Sequence, residues 1–195
     1  GLGTYKILES PEPIAAGIES GYKLLDPAWI YENEALVGEG MRLAAERGYP
    51  KDYVVATTVW PSHFTEDLTK RSIDRSLHDL GLDHLDVVYL HWPAEGKEDA
   101  WRVLERYKDE GIIRTIAVAN FTIEMLEKFK QTANVPPAMN QIEIHPHWPQ
   151  IKLVSYLQEE GILPVAYSPL ARMDDALYDS PAILGLSERL ERKPS

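Results

Sequence analysis

Two hydrophobic patterns alternate along the chain. Short β-branched or fully apolar runs predict strands at residues 2–4, 23–25, 53–57, 86–90, 115–118, 138–141 and 164–166. Between them, apolar residues recur with helical spacing. Leu68, Ile73, Leu77 and Leu80 make one stripe, and Ala100, Val103, Leu104 and Tyr107 make another. Thr65 and Thr122 are predicted N-caps, because a hydroxyl there can accept a bond from an orphan amide. Glycine stops these helices at Gly21, Gly48, Gly81, Gly111 and Gly161, where a left-handed C′ residue is expected. The last interval holds two units, since Asn134, Pro136 and Pro137 separate one more helix from one more strand. Residues 171–180 read as a longer loop and 182–191 as a final helix.

Several strands are apolar on both faces, as in Val54-Val55 and Val87-Val88, which fits a sheet covered on both sides. Strand and helix in alternation imply parallel pairing through right-handed crossovers. The predicted class is therefore α/β, a TIM-type (β/α)8 barrel of which about seven strands are encoded here. Residues 1–195 form one domain, and an eighth strand is expected beyond them. A barrel open at that point would expose the edges of its first and seventh strands, inviting dimerisation or aggregation, and the expected state is a monomer or weak homo-oligomer.

Each predicted strand but the first leads into a polar or ionisable residue: Asp26, Thr58, His91, Asn120, Gln141 and Tyr167. The carboxyl ends of parallel barrel strands converge on one face, so these six residues are predicted to meet in one site.

Composition narrows the chemistry. The formal charge of −11 repels a nucleic-acid backbone. No stretch approaches the roughly 18 apolar residues of a membrane span. The absence of cysteine removes disulfides, thiol nucleophiles and thiolate metal sites, and fits a reducing cytoplasmic setting. Neither nucleic acid nor membrane is an expected partner. His145 and His147 lie two apart without a matching third ligand, so no metal site is predicted. A dinucleotide could not be held by a Rossmann or P-loop glycine motif, because neither spacing occurs.

A tyrosine near a strand end can protonate a carbonyl oxygen as hydride arrives, although its ordinary pKa near 10 requires help from its surroundings. Tyr31, with Asp26 five residues before it, is the candidate. His91 could orient or polarise the same carbonyl. Asn120 and Gln141 offer neutral amides and Tyr167 an aromatic face, which suit a planar ring carrying a carboxamide. Each residue also has an ordinary structural role, and only their combination favours chemistry.

Over nearly its whole length the chain resembles an aldo-keto reductase. The matching blocks are Gly1-Leu2-Gly3-Thr4, Gly21-Tyr22-Lys23-Leu24-Leu25-Asp26, Tyr31-Glu32-Asn33-Glu34 with Val37-Gly38, Leu90-His91-Trp92-Pro93, Val118-Ala119-Asn120-Phe121, Asn140-Gln141-Ile142-Glu143 with His145-Pro146, and Ala166-Tyr167-Ser168-Pro169-Leu170. The resemblance implies a (β/α)8 barrel that reduces small aldehydes and ketones with NADPH, or with NADH. It makes Tyr31 the proton donor, His91 the carbonyl-orienting group and Asp26 part of the network that tunes the tyrosine. Asn120 and Gln141 would bond the nicotinamide carboxamide, and Tyr167 would stack on its ring. Ser168 and Leu170 would line the pyrophosphate path. Trp29, Trp60 and Trp92 would wall an apolar substrate pocket.

Two departures qualify that picture. Where the family carries a lysine, two residues before the third-strand tryptophan, this chain has Thr58, and Ala119 replaces the serine usual before Asn120. Without the ammonium, Tyr31 should be a weaker acid and Asp26 a costlier buried carboxylate. Hydride transfer is then expected to fall by on the order of 10² to 10⁴. The second departure is the eighth-strand region, which in the family serves the adenosine end of the cofactor. A non-catalytic nucleotide-binding or interaction protein on the same fold is the alternative reading. Metal-dependent hydrolysis on a barrel is a third.

Overall fold

A computed structural model describes residues 1–193. Seven parallel strands form one sheet in chain order: β1 (Leu2–Gly3), β2 (Leu24–Asp26), β3 (Val54–Val59), β4 (Leu85–Leu90), β5 (Ile113–Ala119), β6 (Met139–Glu143) and β7 (Leu163–Tyr167). The sheet curls into a nearly closed barrel with its helices outside. Helices α1 (Glu12–Glu19), α2 (Glu34–Glu46), α3 (Glu66–Leu80), α4 (Lys97–Asp109), α5 (Ile123–Phe129) and α6 (Ile151–Glu159) make the crossovers. The segment expected as a loop after β7 contains a 3-10 turn, Ala171–Met173, and the short α7 (Asp175–Tyr178). Helix α8 (Pro181–Leu190) follows. No described helix is long and apolar enough to cross a membrane.

The predicted helix boundaries have the expected chemistry. Thr65 Oγ1 accepts from the Leu68 amide at 3.4 Å, and Thr122 Oγ1 accepts from the Met125 amide at 3.3 Å. Gly81 caps α3 at φ 67°, in the left-handed region that a Cβ disfavours. Gly40 serves a different purpose. A Cβ there would lie 2.4 Å from that of Ile14, so its absence lets α1 and α2 close on each other.

Period-two alternation divides the apolar residues between two cores. Val55, Val59, Val88, Leu90, Ile116 and Val118 face the helices and join the larger cluster, with Trp101, Phe121 and Phe129. Ala56, Val87, Tyr89, Ala117 and Ala119 face inward and fill the barrel, with Leu24 and Met139 against them. Every residue of β4 is buried, whereas β7 has no fully buried residue.

The same alternation places the site. Asp26 continues the inward row of Leu24, Thr58 that of Ala56, His91 that of Val87 and Tyr89, and Gln141 that of Met139. These polar residues form the layer above the apolar interior.

Candidate active site

The six polar residues do not all end their strands. Asp26 and Tyr167 are the last residues of β2 and β7, and His91 and Asn120 come just after β4 and β5. Thr58 and Gln141 lie within β3 and β6, which run on to Val59 and Glu143. Barrel strands are tilted and staggered, so one height in the barrel is reached at different distances from each strand end. The site is thus a layer of inward-facing positions rather than a row of termini.

Asn120 breaks that alternation, because Ala119 before it already faces inward. Its backbone turns left-handed at φ 65°, a conformation that asparagine tolerates better than most residues. The turn brings its amide back over the barrel. Asn120 Nδ2 donates to the His91 carbonyl at 2.9 Å, and Asn120 Oδ1 accepts from the Tyr167 hydroxyl at 3.0 Å. Strands β4, β5 and β7 are tied together by this one side chain.

Asp26 and Gln141 are joined across the barrel: Gln141 Nε2 donates to Asp26 Oδ2 at 2.8 Å. Burial pushes the Asp26 carboxyl up to about 6, and the Gln141 bond offsets only part of that rise. Tyr31 closes a 3-10 turn, Trp29–Tyr31, that follows β2. Its hydroxyl is pushed up to about 12 by burial first and by the Asp26 charge second. No side-chain hydrogen bond joins Tyr31 to Asp26 or Thr58 among the described residues. Asp26 therefore acts on Tyr31 through its charge.

Thr58 is buried and its Oγ1 lies 2.9 Å from His91 Nδ1. Burial pulls His91 down to about 4, so the ring is neutral near pH 7. Its ring makes T-shaped contacts with Trp60, at 4.9 Å between centroids and 73° between planes, and with Tyr31, at 6.2 Å and 87°.

The other expected residues have varied surroundings. Trp60 touches the His91 ring, but Trp29 packs edge-on against His63 at 4.2 Å and Trp92 is exposed. Ser168 takes a left-handed φ of 47°, and Leu170 is exposed. Two further aromatics belong to the surroundings. Tyr5, largely exposed on the loop after β1, lies 5.1 Å from the Tyr31 ring, and buried Tyr89 lies directly beneath in the barrel. The spacing of Val87, Tyr89 and His91 carried the second of these in the sequence. Tyr5 carried no such signal, because its partner Tyr31 comes from a different loop.

His145 and His147 follow β6. Their rings are 6.3 Å from each other, and His145 Nε2 is 3.6 Å from Glu143. Among the described residues, no group of three or more histidine, aspartate or glutamate side chains is placed to hold a metal.

Known proteins resemble this chain in sequence and in fold. The chain is 39% identical over 194 residues to an uncharacterised oxidoreductase of Bacillus subtilis, covering 96% of this chain and 69% of that one. It is 36% identical to the glyoxal reductase of the same organism, covering 97% and 68%. Among solved structures, the aldose reductase from Schistosoma japonicum superposes with a TM-score of 0.92 at 29% identity, covering 100% of this chain and 71% of that one. The model of the aldo/keto reductase family matches residues 9–174, which include all six polar residues of the layer, and by that match the chain belongs to the aldo/keto reductase family.

Proposed function

We propose that this layer is a carbonyl-reducing site in which Tyr31 protonates the substrate oxygen and His91 orients it. The observation that carries the reading is the convergence of Asp26, Thr58, His91 and Gln141 from four strands on one inward-facing layer, with Tyr31 against the His91 ring. The substrates are small aldehydes or ketones, as the name of the glyoxal reductase relative suggests.

A nicotinamide cofactor suits the residues present. Asn120 uses one N–H and one lone pair in the bonds described, and Gln141 uses one N–H, so both amides retain groups to bond a carboxamide. The partly exposed Tyr167 ring offers a face for stacking. When bound, the reduced cofactor, NADPH or NADH, supplies the hydride to the carbonyl carbon. Neutral His91 donates a hydrogen bond to the carbonyl oxygen as negative charge develops there. Tyr31 gives its hydroxyl proton to that oxygen.

The tyrosine is poorly prepared for this task. A hydroxyl near 12, with no cation at position 58, is a weak acid at neutral pH, so turnover is slow. That observation also favours the second reading, a nucleotide-binding protein without catalysis. The two differ in one assay. Titration with NADPH is expected to quench tryptophan fluorescence, and a reactive dicarbonyl is expected to consume the cofactor. Tyr31→Phe should lower that consumption at least tenfold while leaving the quench unchanged. Quenching without consumption by the unmodified chain would establish the second reading instead.

A further inference from the structure

The ring of His91 is fixed at every point except the position of its proton. Its backbone N–H donates to the Val59 carbonyl at 3.1 Å, its carbonyl accepts from Asn120, and its ring makes T-shaped contacts with Trp60 and Tyr31. A neutral imidazole still has two tautomers, and only one places N–H on Nε2. The partner of Nδ1 decides between them.

That partner is Thr58. Among the described residues its Oγ1 makes one hydrogen bond, to His91 Nδ1 at 2.9 Å, and the residue is 4% exposed. The backbone around it is paired in the sheet, with Thr58 opposite Tyr89 in the β3 and β4 register. If Nδ1 carried the proton, Nδ1–H would donate to Oγ1 and the buried hydroxyl hydrogen would face no acceptor. An unpaired buried donor is costly enough to disfavour that tautomer by about tenfold or more. With the hydroxyl donating to Nδ1, both groups are satisfied and the ring proton lies on Nε2.

We propose that Thr58 is a positioning residue that holds His91 as the Nε2–H tautomer, presenting a hydrogen-bond donor to the substrate oxygen. The proposal rests on the carbonyl-reductase reading for what the donor does, but the tautomer itself does not depend on that reading. Thr58 then has two effects. It withholds a cation from Tyr31 and Asp26, and it prepares His91. The histidine half of the site is assembled without involving the tyrosine half.

The test combines a spectrum with kinetics. The chain is labelled with 15N in its histidine rings, and the His91 signals are assigned by their loss in His91→Gln. At pH 7 the unmodified chain and Thr58→Ser should show a protonated Nε2 and a bare Nδ1. Thr58→Val, which keeps the shape and removes the hydroxyl, should show a mixture of tautomers. Its kcat for aldehyde reduction should fall about tenfold with the NADPH Kd unchanged, and Thr58→Ser should recover most of the loss. A proton on Nδ1 in the unmodified chain would overturn the proposal. So would a Val variant with unaltered tautomer, or with an altered tautomer and unaltered kcat in an active enzyme. An Nε2–H ring that depends on the Thr58 hydroxyl in a chain that reduces no carbonyl would uphold the role of Thr58 and overturn the reductase reading.

Discussion

Two aspartates near opposite ends of the barrel strands are treated in opposite ways. Asp86, at the start of β4, is 6% exposed. Its Oδ2 accepts from the Val55 amide at 3.0 Å and lies 3.4 Å from Lys51 Nζ, and its Oδ1 lies 2.9 Å from Arg114 Nη1. Asp26, at the end of β2, has the neutral amide of Gln141 as its one side-chain partner among the described residues. The first carboxylate joins strands and is compensated by charge. The second has no cationic side-chain partner among the described residues, and burial pushes it up to about 6. The amino-terminal rim of the barrel serves stability, while the opposite rim keeps an electrostatic imbalance of the kind that marks functional sites.

The strongest way to break this contrast is to give Asp26 the cation that Asp86 already has. Compared with Thr58→Val, which also lacks the hydroxyl that His91 uses, Thr58→Lys is expected to raise the rate of aldehyde reduction by on the order of 10² to 10⁴, by bringing Tyr31 down from about 12 and favouring the charged form of Asp26. Stopped-flow measurement of hydride transfer checks this, and equal rates for the two variants would clear the missing ammonium of causing slow turnover.

A smaller effect follows from removing the imbalance. The folded Asp26 carboxyl, at about 6, lies above its ordinary value of 3.8, so the folded state binds the extra proton between those pH values. Its contribution to stability is whole below about pH 4 and is lost as pH rises through 6. Asp26→Asn should therefore stabilise the chain by about 2 to 3 kcal/mol at pH 8 and by little near pH 4. Urea denaturation at the two pH values measures the difference. A gain of equal size at both would mean that titration of Asp26 is not its source.

The smallest effect lies at the other rim. Asp86→Ala strands the buried Val55 amide while leaving Lys51 and Arg114 able to turn to water, so a loss of about 1 to 3 kcal/mol is expected. It should leave NADPH binding unaltered. A change in cofactor affinity would show that the two rims are coupled.

Much of this site could be read from residue patterns. The apolar rows gave seven parallel strands, and each row but the first led to a polar residue that the barrel brings into its upper layer. Two features escaped. Strand ends were an imperfect guide, because β3 and β6 continue past Thr58 and Gln141. The stagger of a tilted barrel is a property of the closed sheet, so it leaves no trace in a single strand. Tyr5 escaped for a related reason, since it meets Tyr31 only when the loops after β1 and β2 come together.

By itself, then, the sequence determined the order of elements and the identity of the polar groups, because each depends on local periodicity and side-chain chemistry. It also determined that position 58 carries a hydroxyl instead of an ammonium. Only the tertiary structure decided how these groups pair: Gln141 with Asp26, Thr58 with His91, and Asn120 with both His91 and Tyr167. Hydrogen bonds of about 3 Å require atoms from distant strands at one height and in one direction, and barrel closure alone sets both.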